Sequence, residues 1–323
     1  RCLDSIIAND YPKDRLEVLV VDGMSEDGTR AIVKDYAQRY PFIRLLDNPK
    51  RIISSAMNIG IREAKGEIIM KMDAHSTYPK DYISNCVQYL LEYQADNVGG
   101  ILNIVPREKT TVAKCIAHAL AHPFGSGNAY IKVGSKEPRW ADTAAFGCYK
   151  KEVFEKIGLF NENLAGNSDM DFNKRLRQAG GKILLVPDIV INYYADPNLK
   201  AFWRHNFSDG VWATYVLKFK SKAFSLRHLV PLAFVSSVIG SAALSAVFPP
   251  FRWLFVGITG AYIVANLGAS LHLAIQKRCI VYLWAAPVVF ATRHIAHGLG
   301  ALLGLILVLV PGKLWKGRRG RDV

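Results

Sequence analysis

The feature that most constrains the fold is an abrupt change of texture near residue 229. Before it, the chain carries mixed charge and short apolar runs; from Leu229 onward it is almost continuously apolar. Leu229 to Phe248 and Trp253 to Ile275 are each long enough to cross a bilayer, which takes roughly 20 apolar residues. Only Pro249-Pro250-Phe251-Arg252 separates them, so they read as a hairpin. The stretch from Ile280 to Pro311 is broken by Arg293, His294 and His297. Its first part, Ile280 to Thr292, is short for a crossing and reads as interfacial or re-entrant, and Ile295 to Pro311 reads as a span. The positive-inside rule draws Lys277-Arg278, the basic face before Leu229 and the tail (Lys313, Lys316, Arg318, Arg319, Arg321) to the cytoplasm. That requires an even number of crossings and favours four over three. His294 and His297 read as interfacial histidines, since no third metal ligand is near.

The first two thirds alternate strand and helix signals. Leu16 to Asp22 is a β-branched apolar run, followed by a Gly/Ser/Asp loop and a helical pattern over Thr29 to Tyr40. Ile43 to Leu46 predicts a strand, Ser54 to Ala64 a helix, Glu67 to Met72 a strand, Pro79 to Tyr93 a helix and Asn97 to Val105 a strand. Arg107 to Pro138 is less regular and suggests a loop over a site. Helices are expected over Glu152 to Ile157 and Asn167 to Ala179, then a strand over Lys182 to Val190. This order predicts an α/β sheet with helices on both faces, whose ligands gather at the carboxyl ends of strands. Lys200 to Phe224 alternates aromatic and basic residues, as an amphipathic segment at a membrane surface does. The domain boundaries follow: a catalytic domain over 1–199, an interface segment over 200–228, a transmembrane region over 229–311 and a basic tail over 312–323. The sequence opens inside a helix-like stretch, RCLDSIIANDYP, and the pattern expects a β-strand ahead of it.

The chain has 41 Lys and Arg against 27 Asp and Glu, a formal net charge of +14. It carries no interleaved basic and aromatic RNA motif, so the excess fits anionic lipid and anionic substrates, not nucleic acid. The five cysteines are scattered and lack C-x-x-C spacing, which predicts reduced thiols in a cytosolic compartment.

Three acidic stations carry candidate chemistry. Asp22 stands at the end of the first strand, in VVDGMSEDGT with Ser25. There it can accept from a nucleobase or ribose, or cap the following helix. Asp73 and His75 follow the buried strand IIMKM; two apart in an extended chain, they point to one side. Together they can hold one divalent cation, Mg²⁺ or Mn²⁺, whose remaining positions a nucleotide diphosphate would fill. Asp169 and Asp171 open the helix in NSDMDFNKRLRQ, where acids serve either the helix dipole or a cleft as general base. Asn58, beside Gly60 in a helix, allows close approach to a ligand, and Trp140 is either a sugar-stacking or a core tryptophan.

The stretches EVLVVDGMSEDGT, NIGIREAKGEIIMKMDAHSTYPKDY, EPRWADTAAFGCYKKEVFEKIGLFNENL and NSDMDFNKRLRQAGGKI, in that order and spacing, resemble the family 2 glycosyltransferases. They are most similar to the succinoglycan-type membrane glucosyltransferases of bacterial exopolysaccharide synthesis. The resemblance implies a GT-A nucleotide-sugar-binding domain with a mixed, mostly parallel sheet. It implies that Asp22 contacts the uracil of a UDP-sugar, that Asp73 touches ribose and cation, and that His75 takes the metal-ligand place. Ser25, Asn58, Trp140 and Trp212 join them as nucleotide-sugar contacts. Asp169 matches the catalytic base of an inverting transfer of a hexose to a saccharide acceptor on a polyprenyl diphosphate. The implied location is the bacterial inner membrane, with the catalytic domain in the cytoplasm. The sequence departs from the family pattern at Ser168, where an acid is usual. It departs again at Ser208 to Trp212, where the R-x-x-R-W arginines are missing and Arg204 or Lys218 is the nearest substitute. Those losses keep a non-catalytic nucleotide-sugar-binding scaffold as the alternative. Too few spans and no intramembrane acid argue against a transporter.

Overall fold

The computed structural model describes residues 1–74, 76–221 and 226–311. The chain begins with α1 (Cys2–Ile7), β1 (Val18–Asp22), α2 (Thr29–Arg39), β2 (Ile43–Asp47) and α3 (Ile53–Glu63). Then come β3 (Ile68–Met70), β4 (Ser76–Thr77), α4 (Tyr82–Glu92), β5 (Asn97–Pro106), α5 (Thr111–Ala121), α6 (Pro123–Ser126) and α7 (Tyr130–Val133). They are followed by β6 (Arg139–Trp140), β7 (Ala145–Lys150), α8 (Glu152–Ile157), α9 (Ser168–Gln178) and β8 (Ile183–Ala195). The last elements are α10 (Leu199–Tyr215), α11 (Leu226–Leu244), α12 (Phe251–Gln276) and α13 (Tyr282–Leu309). Contacts divide the described chain into two units: Arg1–Leu102 with Ser135–Ile191, and Asn103–Gly134 with Asn192–Pro311.

In the first unit β1 and β2 pair in parallel, from Val18 opposite Ile43 to Asp22 opposite Asp47, with α2 as the crossover. The larger sheet runs β3-β7-β5-β8-β4, with β6 on β8. Strand β7 is antiparallel to both neighbours, Ile68 facing Lys150 and Asn97 facing Tyr149, so the unit combines parallel pairing in β1–β2 with antiparallel pairing here. Its core is the apolar face of α4 (Tyr82, Cys86, Leu90) against Val98, Cys148, Val186 and Ile191. Position 100 requires glycine. A Cβ there would lie 1.9 Å from the carbonyl oxygen of Ile189, so β5 and β8 can approach only because no side chain intervenes. The register of β5 against β7 shifts between Val98 and Gly100, a β-bulge or irregularity at the same point of the strand.

The second unit is helical where it is described outside the ends of β5 and β8, and two expectations change there. Residues 107–138 are more regular than expected: α5, α6 and α7 occupy most of them. Thr110 caps α5 by accepting the Ala113 N–H at 3.2 Å, and Cys115, Ile116, Ala119 and Leu120 are buried in a core with Leu273, Val289 and Phe290. The stretch 280–311 is not two segments. Tyr282 to Leu309 is one helix of 28 residues, about 42 Å long and so longer than a bilayer's hydrocarbon core. Three helices among the described residues are therefore long and apolar enough to cross a membrane, and the fourth crossing is withdrawn. His294 bonds the Tyr262 hydroxyl at 3.1 Å and the Phe124 carbonyl at 3.0 Å, so it ties α13 to α12 and α6.

Helix α10 carries the segment expected to lie on a membrane surface. Only part of it is exposed, because its Gly210–Tyr215 half is buried against α13. A Cβ at Gly210 would lie 2.1 Å from the His297 carbonyl oxygen, and one at Gly300 would lie 2.1 Å from that of Phe207. Lys218, expected as a substitute for the missing arginines, donates instead to the carbonyls of Leu307 (3.3 Å) and Val310 (2.6 Å). It caps the end of α13.

Candidate active site

Strand β3 stops at Met70, but the Lys71 N–H still donates to the Gly147 carbonyl at 3.0 Å. The chain therefore leaves the sheet extended, and Lys71 and Asp73, two apart, share a side. The backbone of Asp73 is fixed. Its N–H donates to the Tyr78 hydroxyl at 2.7 Å, and that hydroxyl and the Cys2 thiol donate to its carbonyl at 3.3 and 3.6 Å. Burial pushes the Cys2 thiol up to about 11, which keeps it neutral.

The side chain of Lys71 is only 8% exposed, and its ammonium is ion-paired to Oδ2 of Asp169, which is 42% exposed. Burial alone would push the Lys71 ammonium down. The charges of Asp169 and then Asp73, with the hydrogen bond to Asp169, outweigh it and hold the ammonium above the ordinary lysine value. Lys71 thus ties the third acidic station to the second, across 98 residues of chain. It is the functional residue that motif reasoning missed. The available signal was a lysine inside the apolar run IIMKMD, where only a counter-charge makes burial tolerable.

The placement of Asp169 is built from below. Helix α3 holds the segment leading to α9 at two points: Ser54 donates to the Leu164 carbonyl at 2.9 Å, and Asn58 grips both ends of the Phe160 peptide. Asp171 receives Arg175 at 3.0 Å, and Arg175 donates onward to the carbonyls of Ile157 (2.8 Å) and Leu159 (2.9 Å). Beneath, Phe172 stacks on Phe160 at 4.5 Å, and Asn173 bridges Asn97 and Thr143 at 3.0 Å each. The first turn of α9 is therefore clamped on several sides, and Asp169 projects from it to Lys71.

Asp22 forms a station at the end of β1. Its Oδ2 accepts the Ser25 N–H and the Arg30 guanidinium, both at 2.9 Å, and Arg30 reaches on to Asp47 at 2.7 Å. Burial raises the Asp22 carboxyl, but hydrogen bonds from Ser25 and then Arg30 outweigh it and hold the group below its usual range. Arg30 had no place in the sequence reasoning.

The other expected contacts fall in different surroundings. Asn58 is buried, and its amide bonds Phe160 and Glu162, so its observed task is positioning the chain and not the expected reach toward a ligand. Trp140 is 51% exposed on the short strand β6, with the Lys182 ammonium 5.7 Å from its ring centre. Trp212 lies in the second unit, buried in α10 with its ring 5.5 Å from that of Tyr215. His75 lies outside the described residues. Among the described residues no three His, Cys, Asp or Glu side chains gather as a metal cluster. The single carboxylate of Asp73 at a strand end still fits Mg²⁺ or Mn²⁺ binding of the kind in which substrate phosphates supply further ligands.

Residues 1–158 match the family described as Glycosyl transferase family 2. The chain is also 30% identical over 264 residues to the succinoglycan biosynthesis protein ExoA of Rhizobium meliloti (strain 1021), covering 81% of this chain and 77% of that protein. This chain belongs to glycosyl transferase family 2. A second relative of this glycosyltransferase is a Methanococcus voltae protein, named dolichyl N-acetyl-alpha-D-glucosaminyl phosphate 3-beta-D-2,3-diacetamido-2,3-dideoxy-beta-D-glucuronosyltransferase. It is 28% identical over 319 residues, covering 95% of this chain and 92% of its own. Among solved structures, S. aureus TarS (residues 1–349) aligns with a TM-score of 0.49 at 16% identity, covering 92% of this chain and 85% of that one. By its family, this glycosyltransferase has the GT-A-like mixed α/β fold that its motifs implied, and three long apolar helices follow it among the described residues.

Proposed function

We propose that this glycosyltransferase moves a hexose from a UDP-sugar, with inversion, to a saccharide acceptor carried on a polyprenyl diphosphate, in the synthesis of an exopolysaccharide. The observation that carries this reading is the Lys71 bridge, which sets the Asp169 carboxylate beside the strand end bearing Asp73. Asp169 is the general base. Held by Lys71 through Oδ2 and partly open to solvent, it takes the proton of an acceptor hydroxyl while that oxygen bonds the anomeric carbon. The bond from that carbon to the UDP oxygen breaks on the opposite face, and its electron pair leaves with UDP. Lys71 is a positioning residue that keeps the carboxylate aimed. Asp22 and Ser25 take the uracil end of the donor, Asp73 the ribose, and exposed Trp140 stacks on a sugar. Asp73, with His75, would hold Mg²⁺ or Mn²⁺, which when bound neutralises charge building on the leaving diphosphate.

The membrane helices fit a lipid-borne acceptor, and the domain lies in the cytoplasm of a bacterium, at its inner membrane. A donor screen on the full chain tests the assignment: UDP-hexoses with membrane acceptor, with and without Mn²⁺. Transfer from one UDP-sugar supports it. UDP-sugar binding without turnover supports the scaffold alternative that the missing arginines motivated.

A further inference from the structure

The second unit contains a group of charges that the proposed transfer does not use. The charges of Arg293 on α13 and Arg227 on α11 both act on Lys132 on α7, and the Arg227 side chain lies 3.3 Å from where a Cβ of Gly127, just ahead of α7, would stand. His205 on α10 stands among them, with Asp196 at 2.9 Å from one ring nitrogen and Asp209 at 3.6 Å from the other. The charge of Asp209, opposed by burial and aided by the bond to Asp196, holds the His205 imidazole above its ordinary value. Both carboxylates thus face this imidazole.

Lys132 and Arg293 gain no such partner. Among the described residues, neither has a carboxylate within ion-pair distance. Among the described residues the Lys132 ammonium makes no hydrogen bond, and Arg293 donates only to the neutral Asn206 amide oxygen, at 2.6 Å. Burial, and next the charge of Arg293, push the Lys132 ammonium down to about 7; Asp209 opposes this, Arg227 adds to it and Asp196 opposes it. A half-buried cation without a counter-ion is costly, and evolution normally pairs it or neutralises it. An arginine within a helix apolar enough to cross a membrane marks a functional site by default. Arg227 opens a second such helix, so the group involves two candidate membrane helices.

We infer that Lys132, Arg227 and Arg293 form a binding site for the phosphate group of a lipid. Phosphate suits a group of three cations better than a carboxylate does, because it offers more acceptor oxygens at higher charge, and guanidinium matches it in a bidentate way. Lipid is favoured as the source because two of the three cations sit on candidate membrane helices. The identification of that lipid as the acceptor carrier rests on the function proposed above, but the site itself does not.

The test uses the full chain in phosphatidylcholine nanodiscs, with radiolabelled polyprenyl phosphate as probe, inorganic pyrophosphate as the free-anion arm and UDP binding as the fold control. Lys132→Gln and Arg293→Gln are each expected to weaken polyprenyl phosphate binding about ten-fold or more. Lys132→Arg and Arg293→Lys should keep most of it, and Lys114→Gln, an exposed lysine on α5, should change nothing. Weakened binding of the lipid alone assigns a lipid headgroup. Weakened binding of pyrophosphate as well assigns a phosphate site open to both sources, and weakened binding of pyrophosphate alone overturns the lipid. Wild-type binding in both glutamine variants, or equal loss in the conservative ones with UDP binding intact, overturns the site. A failed sugar transfer with Lys132-dependent lipid binding would refute the transfer reading and leave this site standing.

Discussion

Removing one partner of the Lys71–Asp169 pair should not be equivalent to removing the other. Lys71 is 8% exposed and Asp169 is 42% exposed. In Asp169→Asn the ammonium stays buried, with only Asp73 as counter-charge and one neutral amide oxygen to bond. Breaking a fully buried pair costs about 3–5 kcal/mol, and an exposed pair contributes about 0.2–1 kcal/mol. Solvent screening at Asp169 and the remaining charge of Asp73 place this variant between those limits, at about 2 kcal/mol. In Lys71→Met the residue left behind is the exposed one. Water can solvate the Asp169 carboxylate and methionine fills the lysine's volume, so the cost is about 0–1 kcal/mol. Thermal unfolding of the full chain in detergent reads the difference: Asp169→Asn should melt about 4–8 °C lower and Lys71→Met about 0–4 °C lower, at about 2–4 °C per kcal/mol. Equal melting of wild type and Asp169→Asn, or a larger drop in Lys71→Met, would refute the claim that a buried ammonium depends on this carboxylate.

Further outcomes follow from the same geometry. Tyr78→Phe leaves the Asp73 N–H without its 2.7 Å partner, and should cost about 1–3 kcal/mol and raise KM for the donor more than it lowers kcat. The depressed Asp22 carboxyl contributes stability that is present above the ordinary aspartate value and lost as pH falls through its lower folded value. The melting gap between wild type and Asp22→Asn should therefore close as the pH is taken below about 4, and a gap independent of pH would contradict the assigned hydrogen bonds. Gly300→Ala sets a methyl group 2.1 Å from the Phe207 carbonyl oxygen and should destabilise the α10–α13 packing by about 1–3 kcal/mol, read by unfolding in detergent. With a cytoplasmic catalytic domain, protease should cut residues 1–199 in inside-out vesicles and spare them in right-side-out ones.

The alternation of strand and helix in the first part was legible because each element carries its own period. β1, α2, β2, α3 and α9 lie within one or two residues of their expected bounds. The antiparallel insertion of β7 between β3 and β5 was not legible, since strand order depends on non-local pairing that no local period encodes. Helix α5 was hidden by the glycines that follow it, and the break expected at Arg293 was absent because that arginine bonds Asn206 on another helix. At the site, acidic residues at element ends were readable one by one. Their connection was not, because it runs through Lys71, whose type at a strand end says nothing about its partner 98 residues on. Asn58 shows the converse: a polar residue on a helix reads as a ligand contact until its amide is found bonded to Phe160.

The central claim, that Asp169 takes the acceptor's proton, is tested most directly by single-turnover sugar transfer in Asp169→Asn, on membranes that supply the acceptor. The account predicts transfer reduced about 100-fold or more with UDP affinity held near wild type. Transfer at the wild-type rate in that variant would contradict it.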